Sequence, residues 1–390
     1  MFAIAMSFAV FALGGSALQL GTIMIASMIV LLMTLLPSGA LADRFSRKRI
    51  AVISDFLRTG CQLAAAILVF TKVDSVWWLL PGSILFGFGT ALHQPSTVGF
   101  IAEVVPRDKL VKVNSAIQAC RGIGLVLGAA IGGFLVDAFG AASVLTVDGF
   151  TFLLCAVIFA FLRTHAGHVP STNTEPVRIR DGFAILRREP WLLSGMLLVS
   201  GFIAVMYGPM QIIGPLFAKQ SGGGAILWGT ISAVIAVGVI LGAVATQFGY
   251  VKRPLLVVAV LLVFGVSGHL VLASHGSFWL ALPGYCALGA AMGSYGAIWE
   301  ATKQREVSTD MLSRVGSLDW FVSASGMLTG MATATIVAST SGISTMFVIM
   351  AVGAVLVATA TLLASSLREV VGRTSASHAQ LATVVEPVTP

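Results

Sequence analysis

One arginine, Arg121, stands inside a long apolar stretch, "VKVNSAIQACRGIGLVLGAAIGG". At 100° per residue Asn114, Gln118, Arg121, Gly124 and Gly128 share one helix face, so a polar stripe runs into a stripe of small residues. A guanidinium in such a run must face protein or water rather than hydrocarbon, and the chemistry open to it is anion binding or ion pairing. Three aspartates stand in similar surroundings: Asp55, with Arg58 three residues on, Asp148 and Asp319. Asp55 and Arg58 have the i, i+3 spacing of a structural ion pair. Asp148 and Asp319 are candidate proton carriers, because a carboxylate in apolar surroundings can exchange a proton for its charge. Tyr207 and Gln211 add polar groups inside another apolar run, and Glu300 and Gln304, one turn apart, are candidates for a gate contact at a helix end.

What is missing narrows the chemistry. The chain has no GxxxxGK[ST] phosphate loop and no HExxH, metal-ligand cluster or nucleophile motif in a polar setting. The expectation is a protein that is not an enzyme and that needs no metal or cofactor.

The elements that hold these groups follow from composition. The 390 residues are 57% hydrophobic and only 10% charged, against about 25% charged in a soluble domain. Apolar stretches near the roughly 20 residues needed to cross a bilayer recur at 17–38, 50–71, 76–100, 113–137, 141–162, 191–218, 226–250, 254–273, 277–299, 315–338 and 343–367. They are continuous in Leu, Ile, Val, Ala and Gly, as transmembrane helices are, and lack the alternation of barrel strands. Residues 1–13 are apolar but short, and read as the second half of a first helix whose opening turns are missing. The fold class expected is an all-α membrane protein. The four cysteines, Cys61, Cys120, Cys155 and Cys286, all fall in spans and say nothing of redox compartment.

The charge of +7 has a membrane explanation rather than a nucleic-acid one. With loops counted alternately, Arg44, Arg47, Lys48 and Arg49, then Arg107, Lys109 and Lys112, then the bases of the central linker, Lys252 and Arg253, Lys303, Arg305 and Arg314, and finally Arg368 and Arg373 all lie on one side. Only Lys72 and Lys219 lie on the other. The positive-inside rule makes the basic side, and the C-terminus, cytoplasmic.

The chain also repeats itself. At one constant offset Trp77 meets Trp279, Pro81 meets Pro283, Gly87 meets Gly289, Asp108 meets Asp310, Gly124 meets Gly326, Gly128 meets Gly330 and Gly140 meets Gly342. Six spans plus six is the implied plan: a first half at 1–165, a polar cytoplasmic linker with a short basic helix at 166–190, a second half at 191–368 and a disordered tail at 369–390.

"GALADRFSRKR", Gly39 to Arg49, resembles the signature that the major facilitator superfamily carries between its second and third helices. "GLVLGAAIGG", Gly124 to Gly133, is similar to the helix-five motif of its antiporters, with Ala129 where a proline is usual. "HQPSTVGFIAEVVPRDKLVKVNS", "GFAILRREPWL" and "WEATKQREVSTDMLSRVGSLDWF" look like the branch of enterobactin-exporter-like and macrolide-efflux-like proteins. The resemblance covers essentially the whole chain and implies two pseudo-symmetric six-helix halves working by alternating access. Within it, Gly39, Asp43, Arg44, Arg47, Lys48 and Arg49 form a gating motif, with Asp43 against the start of helix eleven near Ser313 and Arg314, where a helix N-terminus stabilises a carboxylate. Gly124, Gly128, Gly132, Gly133, Gly326 and Gly330 pack helices or act as hinges.

The function implied is a secondary exporter of drug-, macrolide- or siderophore-like molecules, with proton antiport as one option. Ser83 stands where the superfamily's proton-antiport motif has an arginine. The alternatives are an importer of a small anionic metabolite held by Arg121, or a truncated protein that does not transport. The partners expected are a small-molecule substrate, a proton under the antiport option, and the bilayer of a bacterial-type inner membrane, with no nucleic acid, around a monomer.

Overall fold

The computed structural model describes residues 2–44, 46–104, 110–162, 186, 189–247, 253–274, 276–307, 309–364 and 371. The helices are α1 Phe2–Ala12, α2 Ala17–Arg44, α3 Arg47–Phe70, α4 Leu79–Val104, α5 Leu110–Phe161, α6 Pro190–Phe202, α7 Gly208–Gln220, α8 Gly224–Gln247, α9 Pro254–Ala273, α10 Phe278–Glu306, α11 Thr309–Thr340 and α12 Ile343–Leu363. Among the described residues nine helical stretches are long and apolar enough to cross a membrane, and α1 is a shorter apolar helix. In hydrocarbon only internal hydrogen bonding satisfies the backbone, which is why these runs are helices end to end.

Two of the long helical runs depart from regular α geometry. α5 is broken at Gly140, with φ 81° and ψ 163°, so its 52 residues are two limbs. Gly342 enters α12 with nearly the same angles, φ 84° and ψ 167°. These are partners in the sequence repeat, and both need the positive φ that glycine adopts without strain. The second such run joins α6 to α7 through a π-helical turn, Ile203–Tyr207.

Contacts divide the chain into two compact units: Met1–Pro176, Met210–Ser232 and Met331–Thr340 form the first, and Val177–Pro209, Ala233–Gly330 and Ser341–Pro390 form the second. In the first, α3 packs on α4 and α5, α4 on α2, and α1 on α5. In the second, α9 packs on α10 and α12, and α6 on α12. The repeat shows in how glycines let helices meet: a Cβ at Gly87 of α4 would strike the Ser27 carbonyl of α2, and one at its repeat partner Gly289 of α10 would strike the Ile235 carbonyl of α8.

The two second-half segments in the first unit are held there by close approaches. A Cβ at Gly133 would lie 2.6 Å from the Ala225 carbonyl oxygen and 2.8 Å from Gly229 Cα, so α5 and α8 touch backbone to backbone. Gly21 of α2 leaves room only for the Thr335 side chain of α11. Lys219 Nζ sits 4.6 Å from the centre of the Phe11 ring.

Candidate functional site

The second unit contains a cavity of about 290 Å³ with one polar end. α6 begins at Pro190, and Trp191 donates its indole N–H to Glu189 Oε2 at 2.9 Å. The Trp191 ring meets that of Trp299 edge to face at 6.0 Å. Any side chain at Gly195 would overlap the Trp299 ring, and the Gly195 carbonyl accepts from Tyr295 Oη at 3.1 Å, so α6 and α10 lie close together here. Held in this way, Trp299 Nε1 donates to both oxygens of Asp319 on α11, at 3.1 and 3.0 Å.

Lys303, one turn beyond Trp299, completes the group. Its Nζ lies 2.6 Å from Asp319 Oδ2 and 2.7 Å from Glu300 Oε1. The Glu300 side chain is 59% exposed and that of Lys303 5%, so the ammonium bridges an exposed carboxylate to a buried one. Phe202, Leu262, Met292, Tyr295 and Val357 make the rest of the lining largely apolar and aromatic. A second hollow of about 410 Å³, between α6 and α12, shares Leu198 and Val357 with the cavity.

The first unit carries a polar seam along α3. Arg58 is paired with Asp55 and lies 4.4 Å from the centre of the Phe152 ring. His93 Nδ1 of α4 lies 3.3 Å from Asp55 Oδ1 and 3.5 Å from Ser54 Oγ. One turn beyond Arg58, Gln62 donates to Asp148 on the second limb of α5. Gly89 and Gly149 make the seam possible: a Cβ at Gly89 would lie 3.1 Å from Arg58 Cγ, and one at Gly149 would lie 3.2 Å from Gln62 Cβ. Asp55 Oδ2 and Arg58 Nε are buried without a hydrogen-bond partner.

The residues singled out in the sequence thus fall in several places. Asp319 and Glu300 line the cavity, and Asp148 belongs to the seam. Tyr207 sits half-buried in the π turn, Gln211 half-buried in α7, and Gln304 is exposed. Gly133 packs against α8, while Gly326 meets the Ser200 carbonyl and Gly330 the Ala204 carbonyl. Gly132 is buried and Gly128 half-buried, whereas a Cβ at Gly124 would meet nothing within 4 Å. Lys48 donates to the Leu162 carbonyl at 2.7 Å, tying the start of α3 to the end of α5. Arg47 and Arg49 lie on the first turn of α3. The side chains of Asp43, Arg44, Gln118 and Arg121, and the surroundings of Gly39, lie outside the described residues.

Sequence reasoning missed Lys303, Trp299, Gln62 and His93 as parts of these clusters. Lys303 was counted with the loop bases, but α10 continues to Glu306 and buries it, because Asp319 compensates its charge. Among the described residues no group of His, Cys, Asp and Glu could hold a metal ion.

A bundle of membrane-length helices in two repeated halves, with buried charges set beside an apolar cavity, defines a multi-pass membrane transporter. The chain belongs to the major facilitator superfamily, whose family model matches residues 1–331. It is similar to macrolide efflux protein A of Streptococcus pyogenes, 23% identical over 318 residues that cover 80% of this chain and 78% of that protein. It is also similar to an uncharacterized MFS-type transporter, YfiS, of Bacillus subtilis, 26% identical over 375 residues that cover 93% of this chain and 88% of that one. Of solved structures, the nucleoside transporter NupG shares the fold at a TM-score of 0.72 and 13% identity, covering 93% of this chain and 94% of that one. A D-xylose-proton symporter does so at 0.71 and 14%, covering 92% and 94%.

Proposed function

We propose that this transporter exports small organic molecules from a bacterial cell by alternating access, with its basic loops and C-terminus in the cytoplasm. The cavity of the second unit carries the reading: it is largely apolar, has a volume of about 290 Å³, and ends in the Asp319, Lys303 and Trp299 group. Such a site suits an apolar compound with one polar or charged end. The relatives named for macrolide efflux, and the multidrug efflux pump Tap of Mycobacterium tuberculosis, 25% identical over 215 residues, point the same way. Import of an anion is disfavoured by the two carboxylates at the cavity's polar end. In this reading the Asp43 motif gates the cytoplasmic side, and Asp148 is a candidate carrier of the coupling proton.

Growth inhibition in an efflux-deficient host tests it. Cells carrying the wild type should tolerate higher doses of macrolides or dyes than cells without it, and retain less compound. Asp43→Asn, Arg121→Ala and Asp319→Asn should each lower that tolerance. Equal tolerance in all strains, or greater retention with the wild type, would remove the export reading.

A further inference from the structure

The polar seam of the first unit does not balance its charges when all its groups take their ordinary forms. Among its described side chains are two carboxylates, Asp55 and Asp148, one guanidinium, Arg58, and one imidazole, His93. Asp55, Arg58 and Asp148 are buried, and an unmatched charge is costly there. With Arg58 positive, the group is neutral only when one extra proton sits on a carboxylate or on the imidazole. The other titratable side chains on the facing parts of α3 and of the second limb of α5 are the thiols Cys61 and Cys155, and α1, which packs on α5, has none. Besides Arg58, the chain's α-amino group is the one charge that acts on Asp148.

We propose that this seam holds one mobile proton with two seats, Asp148 and His93, and that Arg58 changes partner as the proton moves. With the proton on Asp148, His93 is neutral and Arg58 pairs with Asp55, the pairing that the structure shows. With the proton on His93, the imidazolium takes Asp55, from which Nδ1 is already 3.3 Å away, and Arg58 turns to the Asp148 carboxylate. The first arrangement has one charge of each sign and the second has two of each, so both are neutral. Gln62, which holds Asp148, is four residues beyond Arg58, so the move is about one helical turn along α3. The exchange forfeits little, because Arg58 Nε and Asp55 Oδ2 have no hydrogen-bond partner in the present pairing. This assignment rests on Asp148 carrying the coupling proton of the export reading.

The two seats lie on opposite sides of the bilayer's middle. Asp55, which faces His93, is eight residues beyond Arg47 at the start of α3, about 12 Å from that end. Asp148 is eight residues beyond Gly140, about 12 Å from the opposite end. The hydrocarbon core is about 30 Å thick, so a proton passing between the seats crosses its centre. The His93 side chain is 18% exposed and that of Asp55 0%, which makes the imidazole the opening of the seam. An imidazole suits that post, since it can carry a proton or shed it. Passage from Asp148 to His93 runs toward the end with the basic loops, the cytoplasmic one in the export reading, and inward proton flow can drive a compound outward. None of the seam's residues lines the cavity of the second unit, so proton and substrate are handled by different units.

The test uses the full chain with an N-terminal tag, which removes the α-amino charge. The infrared difference between purified wild type and Asp148→Asn should show the carbonyl band of one protonated carboxylic acid. Asp55→Asn takes one negative charge out of the seam, so in that background the same difference should lack the band, although Asp148 itself is untouched. His93→Lys, which fixes a positive charge at the second seat, should also remove it. In everted vesicles His93→Gln should accumulate a dye no further under an imposed pH gradient than without one, while downhill exchange of the dye continues. A wild-type difference without the band, or a band that survives Asp55→Asn, would overturn the one-proton count. A band that survives His93→Lys, or gradient-driven accumulation unchanged in His93→Gln, would overturn His93 as the second seat. Wild-type vesicles that never respond to the gradient, with all three infrared results as expected, would sink the coupling reading alone; accumulation lost in Asp148→Asn and kept in His93→Gln would sink this inference alone.

Discussion

Trp299 holds Asp319 through a single indole N–H shared between both carboxylate oxygens, at 3.1 and 3.0 Å. Trp299→Phe removes the donor and leaves an aromatic ring, smaller than the indole, beside Trp191. The change is expected to destabilise the protein by about 1–3 kcal/mol, the scale for a hydrogen bond to a buried charge. Thermal melting in detergent reads the loss, and wild-type stability in Trp299→Phe would show that Lys303 alone suffices for Asp319.

The Asp55 and Arg58 pair gives a contrast between breaking and removing a buried ion pair. Arg58→Met leaves the fully buried Asp55 without its cation and should cost about 3–5 kcal/mol. The double change Asp55→Leu with Arg58→Met removes both charges and should be clearly more stable than the single variant. Melting curves of the three proteins decide it: a double variant that melts below Arg58→Met would mean that the pair organises the seam.

Asp148 is bonded to Gln62 within the seam, and Asp148→Asn can keep that bond while losing the capacity to carry a proton. In everted vesicles, accumulation of a dye driven by an imposed pH gradient should be lost in Asp148→Asn, while downhill exchange of the dye persists. Gradient-driven accumulation at the wild-type rate would place the coupling group elsewhere.

Gly133 and Gly229 face each other where α5 meets α8. Gly133→Val forces a side chain into this contact, at an overpacking penalty of about 1–3 kcal/mol. That corresponds to a roughly 5- to 150-fold drop in the population with these helix ends together. A cysteine placed at buried Ala225 should then react faster with a hydrophilic maleimide than in an otherwise wild-type protein. Equal reaction rates would show that the helices adapt around the valine.

Much of the fold was legible in the sequence because bilayer-length apolar runs, glycine breaks and a duplicated register are local signals. Gly140 and Gly342 illustrate this: the repeat paired them, and both enter their helices at positive φ. The Asp55 and Arg58 pairing was legible for the same reason, one turn of helix. The partners of Asp148 and Asp319 were not. Gln62 lies 86 residues from Asp148, and Lys303 lies 16 residues from Asp319 on a neighbouring helix. Hydropathy hid Lys303 further, since "WEATKQRE" reads as the end of a span although the helix runs through it. Such pairings arise from how helices lean on one another, which no periodicity within one helix records.

The π turn at Ile203–Tyr207 sets the phase of everything that follows it in that span. One additional residue in a single wide turn rotates the downstream segment by about 100°. Gly208 and Pro209, which nestle against Met327 and Gly330, therefore face α11 only because that residue is there. Shortening the loop of backbone by one amino acid would swing Gly208 away from α11 and bring a bulkier neighbour to the seat, so the span behaves like a combination lock whose outer dial is indexed by one surplus position.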